Sequence, residues 1–150
     1  PATDTAKVLV PNLLATEDPD VLIGLTHVGY SPYGDEPDSD LLIAERVAGI
    51  DVIVGGHSHT RLDPAVLVTS EVNPEGTLIA QTERYAMYLG EVNIGLVDDG
   101  AGGYDVVMRE GHLIPVCFVS ARSGAGMDDW LAWLADGISL KSHRPCELGA

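Results

Sequence analysis

Three of the five histidines, His27, His57 and His59, fall just past the ends of two short apolar runs, Val21-Leu22-Ile23-Gly24-Leu25 and Asp51-Val52-Ile53-Val54. Neutral imidazole is a good ligand for zinc, manganese, iron or cobalt, and three imidazoles suit one open cation site. His57 and His59 are two residues apart. In an extended loop that spacing aims both side chains to one side and Ser58 to the other. Gly55 and Gly56 carry no side chain, so the backbone before His57 is expected to approach an ion closely. Any one histidine is more often a surface or hydrogen-bonded residue than a ligand. Chance, however, would seldom place three of five at the ends of two buried strands. His112 and His143 lie elsewhere and keep the ordinary reading.

The elements that must position these residues form a strand, a helix and a strand. Asp38 to Ala48 has Leu41, Leu42, Ala44, Val47 and Ala48 near helical spacing, with Asp38 or Ser39 placed to cap its start and Gly49 to end it. The runs on either side are short, continuous and apolar, as in strands buried on both faces. Parallel strands joined through a helix make a right-handed crossover, so both C-terminal ends lie on one edge of the sheet, where open α/β sheets place their ligands. Topology thus predicts that His27 and the loop from Gly55 to Thr60 share an edge. Upstream, Asp4 to Glu17 reads as a helix kinked or restarted at Pro11. The loop from His27 to Pro37 is polar and irregular; Tyr30 and Tyr33 beside His27 are pocket candidates, though packing is the commoner role.

Beyond Leu62 the pattern turns to β-rich runs at Ala65 to Thr69, Thr77 to Gln81, Leu89 to Val97 and Tyr104 to Arg109, which predict a mostly antiparallel meander. Val116 to Ser120 reads as a strand and Met127 to Leu134 as a helix. Of the polar residues here, Arg84 could meet a phosphate but is more simply solvated, and Asp98-Asp99-Gly100 reads as a hairpin turn. The fold class expected is α/β, a partial sandwich made of a β-α-β unit, antiparallel strands and a short strand-helix tail. Residues 1–115 form one part and residues 116–150 a tail of separate origin.

Acidic residues outnumber basic ones 23 to 8, a formal charge of −15, which excludes a surface built to neutralise a nucleic-acid polymer. A protein so negative that handles phosphate needs a cation to screen it. No run reaches the roughly 18 apolar residues of a membrane span. Cys117 and Cys146 have no Cys-x-x-Cys partner and read as two unrelated thiols. The start at Pro1 suggests an excerpt of a longer chain.

Leu25-Thr26-His27-Val28-Gly29 followed by Asp51-Val52-Ile53-Val54-Gly55-Gly56-His57-Ser58-His59-Thr60 resembles the second half of the calcineurin-like metallophosphoesterase core of 5'-nucleotidases and UDP-sugar hydrolases. Asn73-Pro74-Glu75-Gly76-Thr77-Leu78-Ile79, Tyr88-Leu89-Gly90-Glu91-Val92 and Gly111-His112-Leu113-Ile114-Pro115 extend the likeness over about residues 4–115. The resemblance implies a metal-dependent phosphate-ester hydrolase, with His27 and His57 binding one divalent ion (Zn, Mn, Fe, Co or Mg) and His59 a second. Two ions roughly 3.5–4 Å apart would activate a water and clamp the phosphate of a small ester, a nucleotide by family likeness. It also suggests an extracytoplasmic setting. The family's Asp-x-His, Gly-Asp and Gly-Asn-His segments are absent from this sequence, and Gly34-Asp35 stands in the wrong chain order to replace them. Three ligands cannot hold two ions, so little or no turnover is expected of the chain alone; a noncatalytic fragment holding one ion is the rival reading. No catalytic residue beyond the metal ligands and no substrate-binding residue is legible.

From Val116 to Leu134 the resemblance changes. Val119-Ser120-Ala121-Arg122 and the segment after it are similar to the C-terminal end of the nickel-inserting hydrogenase-maturation GTPase. That likeness implies a GTPase-related, nickel-handling module. Guanine-nucleotide binding also needs a Gly-x-x-x-x-Gly-Lys-Ser/Thr loop, which the sequence does not contain. The tail therefore reads as a strand, a glycine turn and a helix, with Trp130 and Trp133 as packing residues.

Overall fold

The computed structural model describes residues 1–32 and 37–115, and of the tail only Asp128, Leu131, Ala132 and Ala135. Tyr33, Asp35, both cysteines, His143, the expected strand from Val116 to Ser120 and most of the helix from Met127 to Leu134 lie outside the described residues. The four described tail residues are helical and exposed.

Within Pro1–Pro115 the elements run α1 (Ala2–Glu17), β1 (Ile23–Leu25), α2 (Asp40–Arg46), β2 (Val52–Val54), β3 (Val66–Val68), β4 (Thr77–Ala80), β5 (Tyr88–Asp98) and β6 (Tyr104–Pro115). The fold is α/β: a four-stranded sheet in the order β1-β2-β4-β3 and a separate β5-β6 hairpin. The β-α-β unit expected from the sequence is present, with β1 and β2 parallel in the register Ile23↔Val52, Gly24↔Ile53 and Leu25↔Val54. The antiparallel meander is corrected at one strand. β4 pairs parallel with β2, so it belongs to the same sheet edge as the histidine loops, while β3 pairs antiparallel with β4.

β1 also departs from expectation. It is the edge strand, with Ile23 52% and Leu25 82% exposed, so its apolar run is not buried on both faces. The interior lies one and two strands inward. Ile53 and Ile79 are fully buried and join Val10, Ile43, Ala44, Val47, Ile50 and Leu62 in one cluster, each large side chain there stabilising the fold by roughly 1.5–3 kcal/mol. Side chains alternate across a strand, so Val52 and Leu78, equally buried, face the other side of the sheet.

α2 is capped as its sequence suggests, by Ser39, whose Oγ accepts from the Leu42 amide at 3.2 Å. It is shorter than expected, ending at Arg46, because Val47 turns extended and buries its own side chain. Gly49 follows at φ +87°, where a Cβ would lie 2.5 Å from a Leu14 methyl of α1. Asp38 does not cap α2. Its carboxylate accepts from the amides of Ala2 and Thr3 at 2.5 and 3.0 Å and so caps α1, which runs through Pro11 without a break in the helix.

The hairpin is tied to the sheet by polar contacts. Arg109 of β6 reaches Asp51 at the start of β2, with its Nε and Nη2 at 3.2 and 2.5 Å from one carboxylate oxygen, and both side chains are largely buried. The other Asp51 oxygen accepts from the Leu22 amide at 2.8 Å. Ala65 N–H donates to Gly111 O at 2.8 Å, and Tyr104 N–H to Asp20 Oδ1 at 2.8 Å. At the hairpin's tip, Asp99 Oδ1 accepts from the amides of Ala101, Gly103 and Gly102, which hold its carboxyl below the usual carboxylate range. The turn read from Asp98-Asp99-Gly100 is thus a hydrogen-bonded turn. Removing one partner of a largely buried ion pair strands the other charge. Arg109→Ala is therefore expected to lower unfolding stability by roughly 3 kcal/mol, measured by urea denaturation, with Arg109→Lys falling between it and the parent.

Candidate metal-binding edge

Three strands end level with one another. The registers Leu25↔Val54 and Val54↔Ala80 place the next residues, Thr26, Gly55 and Gln81, side by side at the C-terminal edge. Backbone bonds carry the alignment into the loops: Thr26 N–H to Val54 O at 3.1 Å, Gly29 N–H to Gly56 O at 3.2 Å and Gly55 N–H to Ala80 O at 2.9 Å. Tyr30 N–H donates to Ser58 Oγ at 3.0 Å, a further link between the two histidine loops.

The consequence is that the His27 and His57 rings meet, with centroids 5.3 Å apart and planes at 71°. Metal–nitrogen bonds of roughly 2.0–2.1 Å put two imidazoles sharing one ion at a centroid spacing of about 5 Å. The pair therefore has the spacing of two ligands on one cation. Both residues are exposed, and with Val28, Pro37 and Asp38 they line a hollow of about 240 Å³. The ring contact recorded for His59 is with Tyr85, at 6.5 Å between centroids. Among the described residues, no three His, Cys, Asp or Glu side chains converge as a complete cation site. Of the three histidines, His27 and His57 are a pair whose rings the structure brings together.

The loop is not extended, as its spacing had suggested. His57 and His59 both hold left-handed backbone, φ 75° and 54°. The Ser58 hydroxyl bonds Gln81 Oε1 at 3.0 Å. The two glycines serve a use not read from the sequence. A Cβ at Gly55 would fall on the Asp40 carboxylate, and one at Gly56 would lie 2.7 Å from His27 Nδ1. Their bareness makes room for those side chains.

Asp40 went unnoticed in the sequence because the first position of a helix is an ordinary place for a carboxylate. Here it is fully buried. Oδ1 accepts from Thr26 Oγ1 at 2.6 Å, and Oδ2 has no hydrogen-bond partner among the described residues. Burial pushes the Asp40 carboxyl above its ordinary range, against the opposite pull of the Thr26 bond. Tyr30 packs on the hydrophobic core and is not a lining residue of the hollow. Arg84 lies over the Tyr85 ring, 5.0 Å from its centroid, beside His59. His112 is exposed on β6, opposite Glu91 of β5.

No protein-family model matches the chain. Individual proteins do. It is 35% identical over 99 residues to the trifunctional nucleotide phosphoesterase protein YfkN of Bacillus subtilis, covering 66% of this chain and 6% of that one. It is 30% identical to a 5'-nucleotidase of Diplobatis ommata, covering 69% and 18%, and 34% identical to the protein UshA of Yersinia enterocolitica, covering 62% and 20%. The chain thus spans a fifth or less of the length of these relatives. These likenesses support a metallophosphoesterase segment. More particularly, it is homologous to a segment of the 5'-nucleotidase type.

A raised carboxyl gives a signed pH dependence. Below the ordinary aspartate value of 3.8 both folded and unfolded Asp40 are protonated and burial costs nothing extra. As pH rises the unfolded chain ionises first, and the folded form must then charge a buried group, so stability falls through the folded pKa and levels off above it. Asp40→Asn keeps an acceptor for Thr26 and removes the titration. Its stability relative to the parent is expected to improve as pH rises from 3.8 through the folded pKa and to level off beyond it, read from urea midpoints at a series of pH values; a constant difference throughout would show that Asp40 does not titrate as described.

Proposed function

We propose that this chain supplies metal ligands to a phosphate-ester hydrolase of the 5'-nucleotidase type, with His27 and His57 on one divalent cation and His59 toward a second. The observation that carries the reading is the 5.3 Å approach of the His27 and His57 rings over an open hollow at the C-terminal sheet edge. The relatives named as nucleotidases and nucleotide phosphoesterases support a nucleotide as the ester. The chain's own charge of −15 supports the need for a cation between it and a phosphate. No helix among the described residues is long and apolar enough to cross a membrane. A relative from snake venom supports an extracytoplasmic setting.

When bound, the cations would lower the pKa of a water and stabilise charge on the reacting phosphate oxygens. His27 and His57 would hold that ion through imidazole nitrogens, and the backbone bonds between their two loops fix the spacing of the pair. Val28 and Pro37 give the hollow apolar walls. Asp38 at its rim is engaged with the α1 amides. Three histidines leave both ions short of ligands, so hydrolysis requires donors beyond these three. The approach of His27 and His57, with no third converging ligand among the described residues, also favours a second reading, a fragment that binds one ion without turnover.

Equilibrium dialysis against manganese, zinc and cobalt separates the two readings by the number of ions held per chain. His57→Ala and His27→Ala are each expected to weaken binding at least tenfold, and hydrolysis of 5'-AMP by the chain alone is expected to be slight. Binding unchanged in both variants would remove the histidines from the site. Robust 5'-AMP hydrolysis lost in His57→Ala would show that these residues suffice without further ligands.

A further inference from the structure

His57 and His59 each occupy left-handed backbone, a region that costs free energy for any residue but glycine and persists only where the surroundings over-determine it. The surroundings that do so converge on one side chain. Gln81, the residue after β4, is 1% exposed. Its Oε1 accepts from Ser58 Oγ at 3.0 Å and from the Thr60 amide, and its Nε2 donates to Gly56 O at 3.1 Å. We infer that Gln81 is the positioning residue of the His57-His59 loop, holding residues 56, 58 and 60 from beneath so that residues 57 and 59 are presented outward.

The proton accounting closes. Two donors face Oε1 and one carbonyl faces Nε2, so only one orientation of the amide satisfies the network. Ser58 has a single hydroxyl hydrogen, given to Gln81; its lone pairs receive the Tyr30 amide at 3.0 Å and the Thr60 hydroxyl at 2.8 Å. Through Ser58 the clamp reaches the loop that carries His27. The backbone of the same segment is anchored as well, with Leu62 N–H donating to Gln81 O at 3.1 Å and Glu83 N–H to Thr60 O at 3.1 Å. A glutamine is suited to the place. It offers an acceptor and a donor at once and brings no charge into a buried site next to Asp40.

The inference rests on the reading of His57 and His59 as metal ligands for its functional meaning, but the clamp itself can be read without metal. Gln81→Met keeps the length and bulk of the side chain and deletes all three bonds. Asn73→Ala serves as the control. It removes a buried amide that bonds Thr77 Oγ1 at 2.9 Å and Ala44 O at 3.4 Å, at the end of β4 away from Gln81. Cobalt(II) chloride titration of each full-length variant, followed by visible absorption, is expected to show at least a tenfold loss of affinity in Gln81→Met and no more than a twofold change in Asn73→Ala. Amide hydrogen exchange in EDTA is expected to show at least tenfold faster exchange at Thr60 in Gln81→Met. Unchanged Thr60 exchange overturns the clamp, and so does equal loss of cobalt affinity in the two variants. If the parent chain fails to bind cobalt, the metal reading falls while the Thr60 measurement still upholds or sinks the clamp.

Discussion

The parallel register of β1, β2 and β4 is the constraint on which the rest of the site depends. Leu25, Val54 and Ala80 stand abreast, and each strand hands over to its loop at the same level. A shift of one residue in any pairing would turn side chains to the opposite face and carry a loop out of line by about 3.3 Å. The buried Ile53 and Ile79 resist such a slip, because it would exchange them for their neighbours on the other face of the sheet. Core packing therefore sets the distance between histidines that take no part in the core.

Polar residues just past the ends of β1 and β4 and at the start of α2 make a floor. Thr26, Asp40 and Gln81 lie under loops whose histidines face outward, with Gly55 and Gly56 leaving space for Asp40 and His27. Satisfied buried polar groups specify geometry in a way that apolar packing does not, since hydrogen bonds are directional. The opposite end of the sheet uses the same device. Asn73 bonds Thr77, and Thr77 Oγ1 donates to Ile50 O at 2.7 Å, fixing where β4 begins. Hydrophobic burial lies between these ends, and directional bonds decide the register at each.

Much of this was legible from residue types. The apolar runs, the helix with its Ser39 cap and the shared edge of His27 and His57 all follow from periodicity and crossover handedness, which are local or near-universal rules. What was not legible depends on long-range pairing. β1 reads as a buried strand because apolar composition does not say which strand is at the edge; its 82% exposed Leu25 is as apolar as the buried Leu78. β4 reads as part of a meander because the sequence gives no sign that Thr77 to Ala80 crosses to run parallel with β2. Asp38 caps a helix 35 and 36 residues upstream, a partnership that spacing cannot reveal. The left-handed histidines escape detection for the opposite reason, since that conformation goes against local preference and is sustained from a residue more than 20 positions away.

That last mismatch bears on why the loop is built as it is. Had residues 57 and 59 been extended, successive residues would alternate, but the loop would continue along the strand direction away from His27. Left-handed turns at both positions fold the segment back over the strand ends, and the Gly29 N–H to Gly56 O bond then closes the two loops on each other. Glycine would adopt such turns at less cost, but glycine has no imidazole. The site must place a functional side chain on backbone that disfavours side chains, and a buried amide with both donor and acceptor is the least intrusive way to hold it there. Strain at the histidines and the completeness of the Gln81 network are in that sense one feature seen from two sides of the loop.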